Sequence, residues 1–202
     1  MISRLRRAIS RQLSNPSGFG GRVIASLMNR GNRGMNERAI DLLDVAPSSR
    51  VLDLGFGGGL ALPQLMTRAR TVTGVDRADD MIESARKRHA SAVQDGRLTL
   101  VAGDVTRLPL ADDSVDRVLT VNTVYFWPDL SAAFGEIRRV LAPGGRLVIG
   151  IRDGAVMQRV SRDVFTIRSP QELADALTTN GFAGVEVVSA PDGQTHLITA
   201  TS

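Results

Sequence analysis

The chain has 202 residues, 43% of them apolar and none of them cysteine. This length suffices for one domain with a substantial core, and the composition excludes disulfides, thiolate metal sites and a cysteine nucleophile. The two histidines stand outside any metal-ligand spacing, and no apolar run approaches the roughly 18 residues of a membrane-spanning helix. The net charge of +4 is uneven, because residues 1–38 carry eight arginines and one acidic residue while the remainder is net negative.

Three short helices are predicted before the first strand. Met1–Leu13 places apolar side chains at helical spacing with arginines on another face, which predicts an amphipathic helix that packs on the domain or lies on a membrane. Its charge would also suit another acidic partner, and a plain solvated face remains the alternative. Val23–Met28 and Asn36–Asp44 are the other two predicted helices, separated by a glycine-containing turn.

The stretch Val51–Leu60 reads as a buried strand that runs into a glycine turn and then a helix over Leu60–Arg68. A strand followed by a glycine turn and a helix is typical of nucleotide-binding pockets, because glycine permits left-handed backbone and leaves room for a ligand. The dinucleotide fingerprint Gly-x-Gly-x-x-Gly fails here, since Leu60 or Leu62 would occupy its third glycine. A nicotinamide dehydrogenase is therefore disfavoured, and the spacing present is Asp53-x-Gly55-x-Gly57-x-Gly59.

The next strands also end in polar residues. Thr71–Val75 ends at Asp76, where a carboxylate would accept hydrogen bonds from ribose hydroxyls or would cap the helix predicted at Asp79–Arg88. Leu98–Ala102 leads into Gly103-Asp104-Val105, and Arg117–Val121 ends at Asn122. The remaining predicted elements are a helix at Leu130–Leu141, a turn at Ala142–Gly145, a strand at Leu147–Ile151, a capped helix from Ser169 to Asn180, and a hairpin of Val185–Ser189 and His196–Thr201 around Asp192-Gly193.

Three segments resemble the class I S-adenosylmethionine (SAM)-dependent methyltransferases. The alternate-glycine loop is similar to the first motif of that family. The run LPLADDSVD at residues 108–116 resembles the LPF-x-D-x-S-F-D segment of small-molecule methyltransferases related to the ubiquinone and menaquinone enzymes. The run EIRRVLAPGGRLVI at residues 136–149 resembles their EI-x-RVLKPGG-x-L segment. The resemblance covers about residues 45–151.

The resemblance implies an α/β, Rossmann-like fold with seven strands. Most of the sheet would be parallel, with a C-terminal antiparallel hairpin and helices on both faces. Residues 1–46 would form an N-terminal helical cap segment and residues 47–202 the methyltransferase domain. The cofactor would be SAM, and the residues that the resemblance assigns to it are Asp53, Gly55, Phe56, Gly57, Gly59, Asp76, Arg77, Met81, Gly103, Asp104, Val105 and Asn122.

The end of the fourth strand would face the transferred methyl group. The aromatic residues Tyr125, Phe126 and Trp127, together with Arg152, are predicted to contact a small, apolar or planar acceptor, although an ordinary aromatic cluster is the alternative. Nucleic acid is disfavoured as a substrate, because Thr123 and Val124 replace the prolines of the Asn-Pro-Pro-Tyr motif found in amino-methylating nucleic-acid enzymes.

The predicted reaction is therefore methyl transfer from SAM to an O, N or C atom of a small molecule, without a metal and in the cytoplasm. A general base is not required, and Tyr125 or Asp153 would serve if one is used. The alternative is a non-catalytic SAM-binding scaffold or sensor that uses the basic N-terminus to bind a partner.

Overall fold

The computed structural model of the chain describes residues 33–154, 166–191 and 193–202. The predicted helices at Met1–Leu13 and Val23–Met28 lie outside the described residues, as does Asp192 of the predicted hairpin turn. The third predicted N-terminal helix is present as α1, residues 33–43. Met35, Ala39, Ile40 and Leu43 of α1 are buried, so this helix is part of the core. The division at residue 46 stays a prediction.

The described helices and strands follow one another in the alternating order of an α/β domain. None of the described helices is long and apolar enough to cross a membrane. A 3-10 turn at Val124–Phe126 lies between β4 and α5. The elements are α1 (33–43), β1 (Arg50–Leu54), α2 (Leu62–Arg68), β2 (Thr71–Asp76), α3 (Asp79–Arg88), α4 (Ala90–Gln94), β3 (Leu98–Ala102), β4 (Val115–Val121), α5 (Leu130–Val140), β5 (Leu141–Arg152), α6 (Pro170–Thr179), β6 (Ala183–Ser189) and β7 (Thr195–Thr201).

The strands form one seven-stranded sheet in the order β3-β2-β1-β4-β5-β7-β6. The first five strands are parallel, and β7 runs antiparallel between β5 and β6. The predicted fold class is confirmed. The order reverses between β1 and β4, and such a switch point opens a crevice at the carboxyl ends of the two strands.

Each face of the sheet carries its own apolar core. On one face, α1, α2 and α3 pack on Val51, Val72 and Val148. On the other, α5 and α6 pack on Leu52 and on alternate residues of β5. β1 is buried on both faces, which explains why Val51, Leu52 and Leu54 are all apolar and do not alternate with exposed polar residues. Asp53 is the one acidic residue of this strand.

One helix and one strand boundary differ from the sequence predictions. The sequence pattern does not predict helix α4, and β5 begins at Leu141, where the end of a helix and a turn are predicted. Leu141 pairs with Val115 before a register irregularity, so the strand pairing starts ahead of the glycines. Gly144 still has a φ of +71°, which is the conformation that the predicted turn requires.

The segment most similar to the family motif, residues 108–116, is held by two arginines. Arg139 of α5 donates to the carbonyls of Leu108 and Leu110 and pairs with Glu136 and Asp112, at distances of 2.7–3.0 Å. These carboxylates raise the pKa of the Arg139 guanidinium above its usual value. Arg50 pairs with Asp116 through its backbone N–H and its guanidinium. These contacts indicate that the motif stabilises the loop between β3 and β4.

Replacing the half-exposed Arg139 with methionine removes this network. Glu136, which also accepts a bond from the Leu108 N–H at 2.7 Å, would lose its charged partner. We expect Arg139→Met to lower the free energy of unfolding by about 1–3 kcal/mol, because two backbone carbonyls and Glu136 lose charge-assisted hydrogen bonds. The exposed Asp112 would be solvated and adds little to the loss. Urea denaturation would measure the loss. Arg97→Met, at an exposed position, is the matched control, and an equal loss in both variants would contradict the assigned role.

Candidate functional site

A cavity of about 350 Å³ lies at the carboxyl ends of the central strands. Its walls come from the segments that follow β1, β2, β3 and β4, with one residue contributed by α1. The lining residues are Asn36, Asp53, Leu54, Gly55, Phe56, Gly57, Gly58, Leu60, Ala61, Val75, Asp76, Arg77, Met81, Gly103, Asp104, Val105, Val121, Asn122, Thr123, Phe126, Trp127 and Pro128.

The glycine loop is built by backbone geometry that other residues adopt only under strain. Gly55, Gly57 and Gly59 have φ values of +72°, +50° and +71°. A Cβ atom at Gly55 would overlap the side chain of Thr123, so the loop also packs directly on the segment after β4. The Gly58 carbonyl accepts a bond of 2.8 Å from Arg88 at the end of α3. The loop is therefore fixed from both neighbouring segments.

Asp76 connects the end of β2 to the glycine loop. Its Oδ2 accepts a hydrogen bond from the Gly57 N–H at 2.7 Å, and its Oδ1 accepts one from the Ala78 N–H at 3.0 Å. The sequence offers ribose binding and helix capping as alternatives, and the Ala78 bond lies at the N-terminus of α3. Since a carboxylate has about four acceptor positions, two such bonds leave capacity for a ligand.

Asp53 is the buried acidic group of the cavity. It is 5% exposed, and its Oδ2 has no hydrogen-bond partner among the described residues. Burial, together with the neighbouring charge of Asp76, raises the pKa of Asp53 to about 7. A buried carboxylate without a donor is costly, and a ligand that brings a cation or an N–H group would relieve that cost.

The loop after β3 supplies the third carboxylate. Asp104 accepts two bonds from Thr106, at 2.9 Å from its N–H and 2.6 Å from its hydroxyl, and these bonds hold the pKa of Asp104 below its usual value. Both bonds reach Oδ1. The preceding Gly103 has no room for a side chain, since a Cβ there would lie 2.7 Å from Pro109 and 2.9 Å from Val75.

Apolar and aromatic groups complete the walls. Phe56 and Met81 are buried and line the same cavity as the three carboxylates. The Arg77 guanidinium lies 5.8 Å from the centre of the Phe126 ring, so this contact joins the segment after β2 to the segment after β4. Trp127 is 4% exposed and packs edge-on against Phe134, with ring centres 5.9 Å apart.

Asn122 begins the segment after β4 in a left-handed conformation, with a φ of +58°. Its N–H donates to the Gly150 carbonyl at 2.8 Å, which keeps the strand pairing intact up to this point. Just below it, Thr120 donates to the Leu54 carbonyl and makes a short hydrogen bond with Thr123. A non-glycine residue at this φ is uncommon and carries strain, which is frequent at functional sites.

Tyr125 lies outside the described lining of the cavity. The sequence predicts it as a general base and as an acceptor contact, but it is 2% exposed and is not among the described residues that line the cavity. Its hydroxyl accepts a bond of 2.6 Å from the Arg152 N–H and lies 3.1 Å from the Arg152 carbonyl. Burial raises the pKa of the Tyr125 phenol well above its usual value. This placement favours a packing role and argues against proton abstraction at neutral pH.

Arg152 and Asp153 also lie outside the described lining of the cavity. Asp153 is 3.8 Å from Nε2 of His196, whose Nδ1 is 2.8 Å from the Ser189 hydroxyl. These residues form a polar cluster at the ends of β5, β6 and β7. Their predicted roles gain no support from this geometry. No group of three or more His, Asp or Glu side chains suited to a metal occurs within the described ranges.

Thirteen of the sequence-predicted site residues line the cavity together. Gly59 belongs to the loop but not to the lining. Sequence reasoning missed Asn36, because nothing in its local pattern marks a helix residue that reaches the cavity. It also missed Thr123 and Pro128, whose proximity to the aromatic residues could have been a signal. The roles of all these residues in binding stay predictions.

Comparison with known proteins gives one family. Residues 52–149 match the family model of a methyltransferase domain. The chain is 30% identical to an O-methyltransferase of Pyrenophora dematioidea, over 76% of this chain and 61% of that protein. It is 29% identical to the 27-O-demethylrifamycin SV methyltransferase of Amycolatopsis mediterranei, over 81% of this chain and 57% of that protein.

The fold is also found in solved structures. A SAM-dependent methyltransferase from Thermotoga maritima superposes with a TM-score of 0.70 and 26% identity, covering 87% of this chain and 91% of that one. By contrast, the chain spans only 42% to 61% of the length of the first curated relatives that it matches. The similarity therefore concerns the domain around the cavity.

Proposed function

Because the chain belongs to the class I SAM-dependent methyltransferases, we propose that it binds SAM in this cavity and methylates a small, apolar or planar acceptor. The observation that carries the proposal is the unpartnered carboxylate oxygen of Asp53, buried beside the glycine loop. SAM carries a sulfonium and an ammonium group, and a buried carboxylate without a donor suits a cationic ligand.

The remaining residues of the cavity fit the other parts of SAM. Asp76 would accept hydrogen bonds from the ribose hydroxyls, and Asp104 would accept one from the adenine amino group. Phe56 and Met81 offer apolar surface for the adenine ring. The glycine loop lets the ligand approach the backbone without meeting a Cβ atom.

Bound SAM would supply the chemistry, an electrophilic methyl group with its own leaving group. The chain would contribute position and a dry environment, which are effective because bringing two reactants into line can be worth about 7–11 kcal/mol of the barrier. Phe126 and Trp127 would exclude water and hold the acceptor opposite the cofactor. The acceptor atom would bond to the methyl carbon as the bond from that carbon to sulfur breaks, and S-adenosylhomocysteine would leave. A proton carried by the acceptor would be lost to solvent, before the transfer from a phenol or after it from an alcohol, so no side chain of the cavity has to remove it.

Oxygen is the accepting atom that we propose. Two relatives are named for methylation at oxygen, and the aromatic wall suits an acceptor with a flat or apolar surface. An acceptor panel of phenols and hydroxylated polyketides, incubated with methyl-labelled SAM, would test this. Labelled ether products support the proposal, whereas SAM binding without transfer to any acceptor would favour a scaffold or sensor.

Cofactor binding is tested most directly by calorimetry on wild type and Asp76→Asn, with SAM, its demethylated product S-adenosylhomocysteine, and NADH as ligands. We expect wild type to bind the first two, and the substitution to weaken binding by about 1.5–3 kcal/mol through loss of a charge-assisted bond. Thermal unfolding of both proteins would show that the loss is not a loss of fold. Asp175→Asn, on an exposed part of α6, is the control. Binding of NADH alone would overturn the assignment.

A further inference from the structure

The cavity wall that contains Phe126 and Trp127 is held by the short segment that precedes α6. This aromatic wall loop, Thr123–Pro128, contributes Thr123, Phe126, Trp127 and Pro128 to the lining. Arg168, located just before α6, donates from Nη1 to the Val124 carbonyl at 3.1 Å and from Nη2 to the Trp127 carbonyl at 3.2 Å. The Thr166 N–H donates to the Tyr125 carbonyl at 3.0 Å. Three carbonyls of the loop therefore bind to one short segment.

Arg168 suits this task because of its shape. A guanidinium is a rigid planar fork, so its two outer nitrogens can reach the carbonyls of Val124 and Trp127 at once. A lysine would offer a single charged centre and could satisfy both only poorly. Arg168 is half-buried, and burial lowers the pKa of its guanidinium, so its position has a desolvation cost.

We propose that Arg168 is a positioning residue of the acceptor subsite: by bridging the carbonyls of Val124 and Trp127, it sets where Phe126 and Trp127 stand in the cavity. The proposal rests on the proposed function, because it assigns this wall to the acceptor. The acceptor would be a flat apolar molecule that is recognised by the two fixed aromatic rings. Arg168 itself is not in the described lining and acts through the loop.

The contacts of Trp127 separate this effect from cofactor binding. Its ring is held by Phe134 of α5, while its backbone is held by Arg168. The three carboxylates assigned to SAM lie at the ends of β1, β2 and β3, outside this loop. Releasing the loop should therefore weaken acceptor recognition much more than cofactor binding.

Trp127 is the only tryptophan of the chain, so its fluorescence reports on this wall alone. The experiment compares wild type, Arg168→Met, Arg168→Lys and the exposed control Arg97→Met, each without ligand and with S-adenosylhomocysteine. In Arg168→Met we expect a red-shifted emission and an acrylamide quenching constant raised by about twofold or more, because local opening exposes the indole. Arg168→Lys should fall between wild type and Arg168→Met, and Arg97→Met should equal wild type.

Kinetics with an acceptor found in the panel give the second readout. We expect Arg168→Met to lower kcat/KM for that acceptor by about 10–100-fold, because small displacements from the reactive geometry are costly. The affinity for S-adenosylhomocysteine should stay within about threefold of wild type, a change below 1 kcal/mol. If Arg168→Met does not fold, Arg168→Lys and Arg168→Gln carry the comparison.

Unchanged emission and quenching in folded Arg168 variants would overturn the proposal, as would equal losses of acceptor and cofactor affinity. Failure of the proposed function has a different signature, since wild type would then bind neither SAM nor S-adenosylhomocysteine, or would bind them without methylating any acceptor. The fluorescence of the unliganded proteins would still show whether Arg168 holds the wall. The two failures are therefore distinguishable.

Discussion

Asp53→Asn is expected to stabilise the unliganded protein and to weaken cofactor binding. The carboxylate has a pKa of about 7 in the folded chain against 3.8 for an ordinary aspartate, because of its burial and the charge of Asp76. Between pH 3.8 and about pH 7, Asp53 holds a proton in the folded state that it has lost in the unfolded state. The free energy of unfolding therefore falls as the pH rises through this range. Above pH 7 the full penalty applies, about 4 kcal/mol at most.

The effect of Asp53→Asn on stability depends on pH. At pH 8, Asp53→Asn should raise the free energy of unfolding and the Tm of the unliganded protein relative to wild type. At pH 4 the difference should nearly vanish, because Asp53 is then protonated in the folded wild type. Thermal and urea unfolding of both proteins at the two pH values would measure it. A variant that is less stable than wild type at pH 8 would contradict the strain assigned to Asp53.

Binding should change in the opposite direction. If Asp53 meets the ammonium group, which SAM and S-adenosylhomocysteine share, it must lose its proton to bind. The affinity of wild type for S-adenosylhomocysteine should then fall about tenfold per pH unit well below pH 7. Asp53→Asn should bind more weakly at pH 8, by about 2–3 kcal/mol, and lose this pH dependence. Asp104→Asn is the matched control for the pH dependence of binding. The pKa of Asp104 is below its usual value, so its carboxylate stays ionised across this range and its removal should leave the pH dependence in place.

Much of the fold and half of the site depend on local patterns that a sequence displays. Val51, Leu52 and Leu54 are apolar because β1 is buried on both faces, with Asp53 as its one acidic residue. The glycines after the strand are required by left-handed φ values. Parallel strands end at the same edge of a sheet, so polar residues at their ends, such as Asp76 and Asp104, could be assigned to one cavity.

The features that sequence analysis could not predict depend on contacts between distant segments. Tyr125 stands close in sequence to cavity residues, but its hydroxyl binds the backbone of Arg152, and only the packed structure shows this. Asn36 reaches the cavity through the packing of α1. The motif at residues 108–116 identified the family, although its contacts with Arg139 and Arg50 stabilise the loop and do not form the cavity.

Gly55→Ala is expected to cost about 2–5 kcal/mol of unfolding free energy, from two separable causes. The left-handed φ of +72° costs a residue with a Cβ roughly 1–2 kcal/mol. The new methyl group would also overlap the Thr123 side chain, and such overpacking costs about 1–3 kcal/mol more. The displaced loop should abolish measurable binding of S-adenosylhomocysteine. Urea denaturation and calorimetry are the two measurements.

Two further variants separate the causes of the Gly55→Ala loss. Gly96 has a φ of +70°, and no atom lies within 4 Å of the position that a Cβ would take there, so Gly96→Ala measures the backbone cost alone. Thr123→Ser keeps the hydroxyl and removes the overlapping methyl group, so it should recover only the packing part when combined with Gly55→Ala. Equal losses for Gly55→Ala and Gly96→Ala, with no recovery from Thr123→Ser, would show that the loop does not press on the segment after β4. Recovery of stability together with S-adenosylhomocysteine binding would show that this contact, more than the backbone strain, shapes the glycine loop for its ligand.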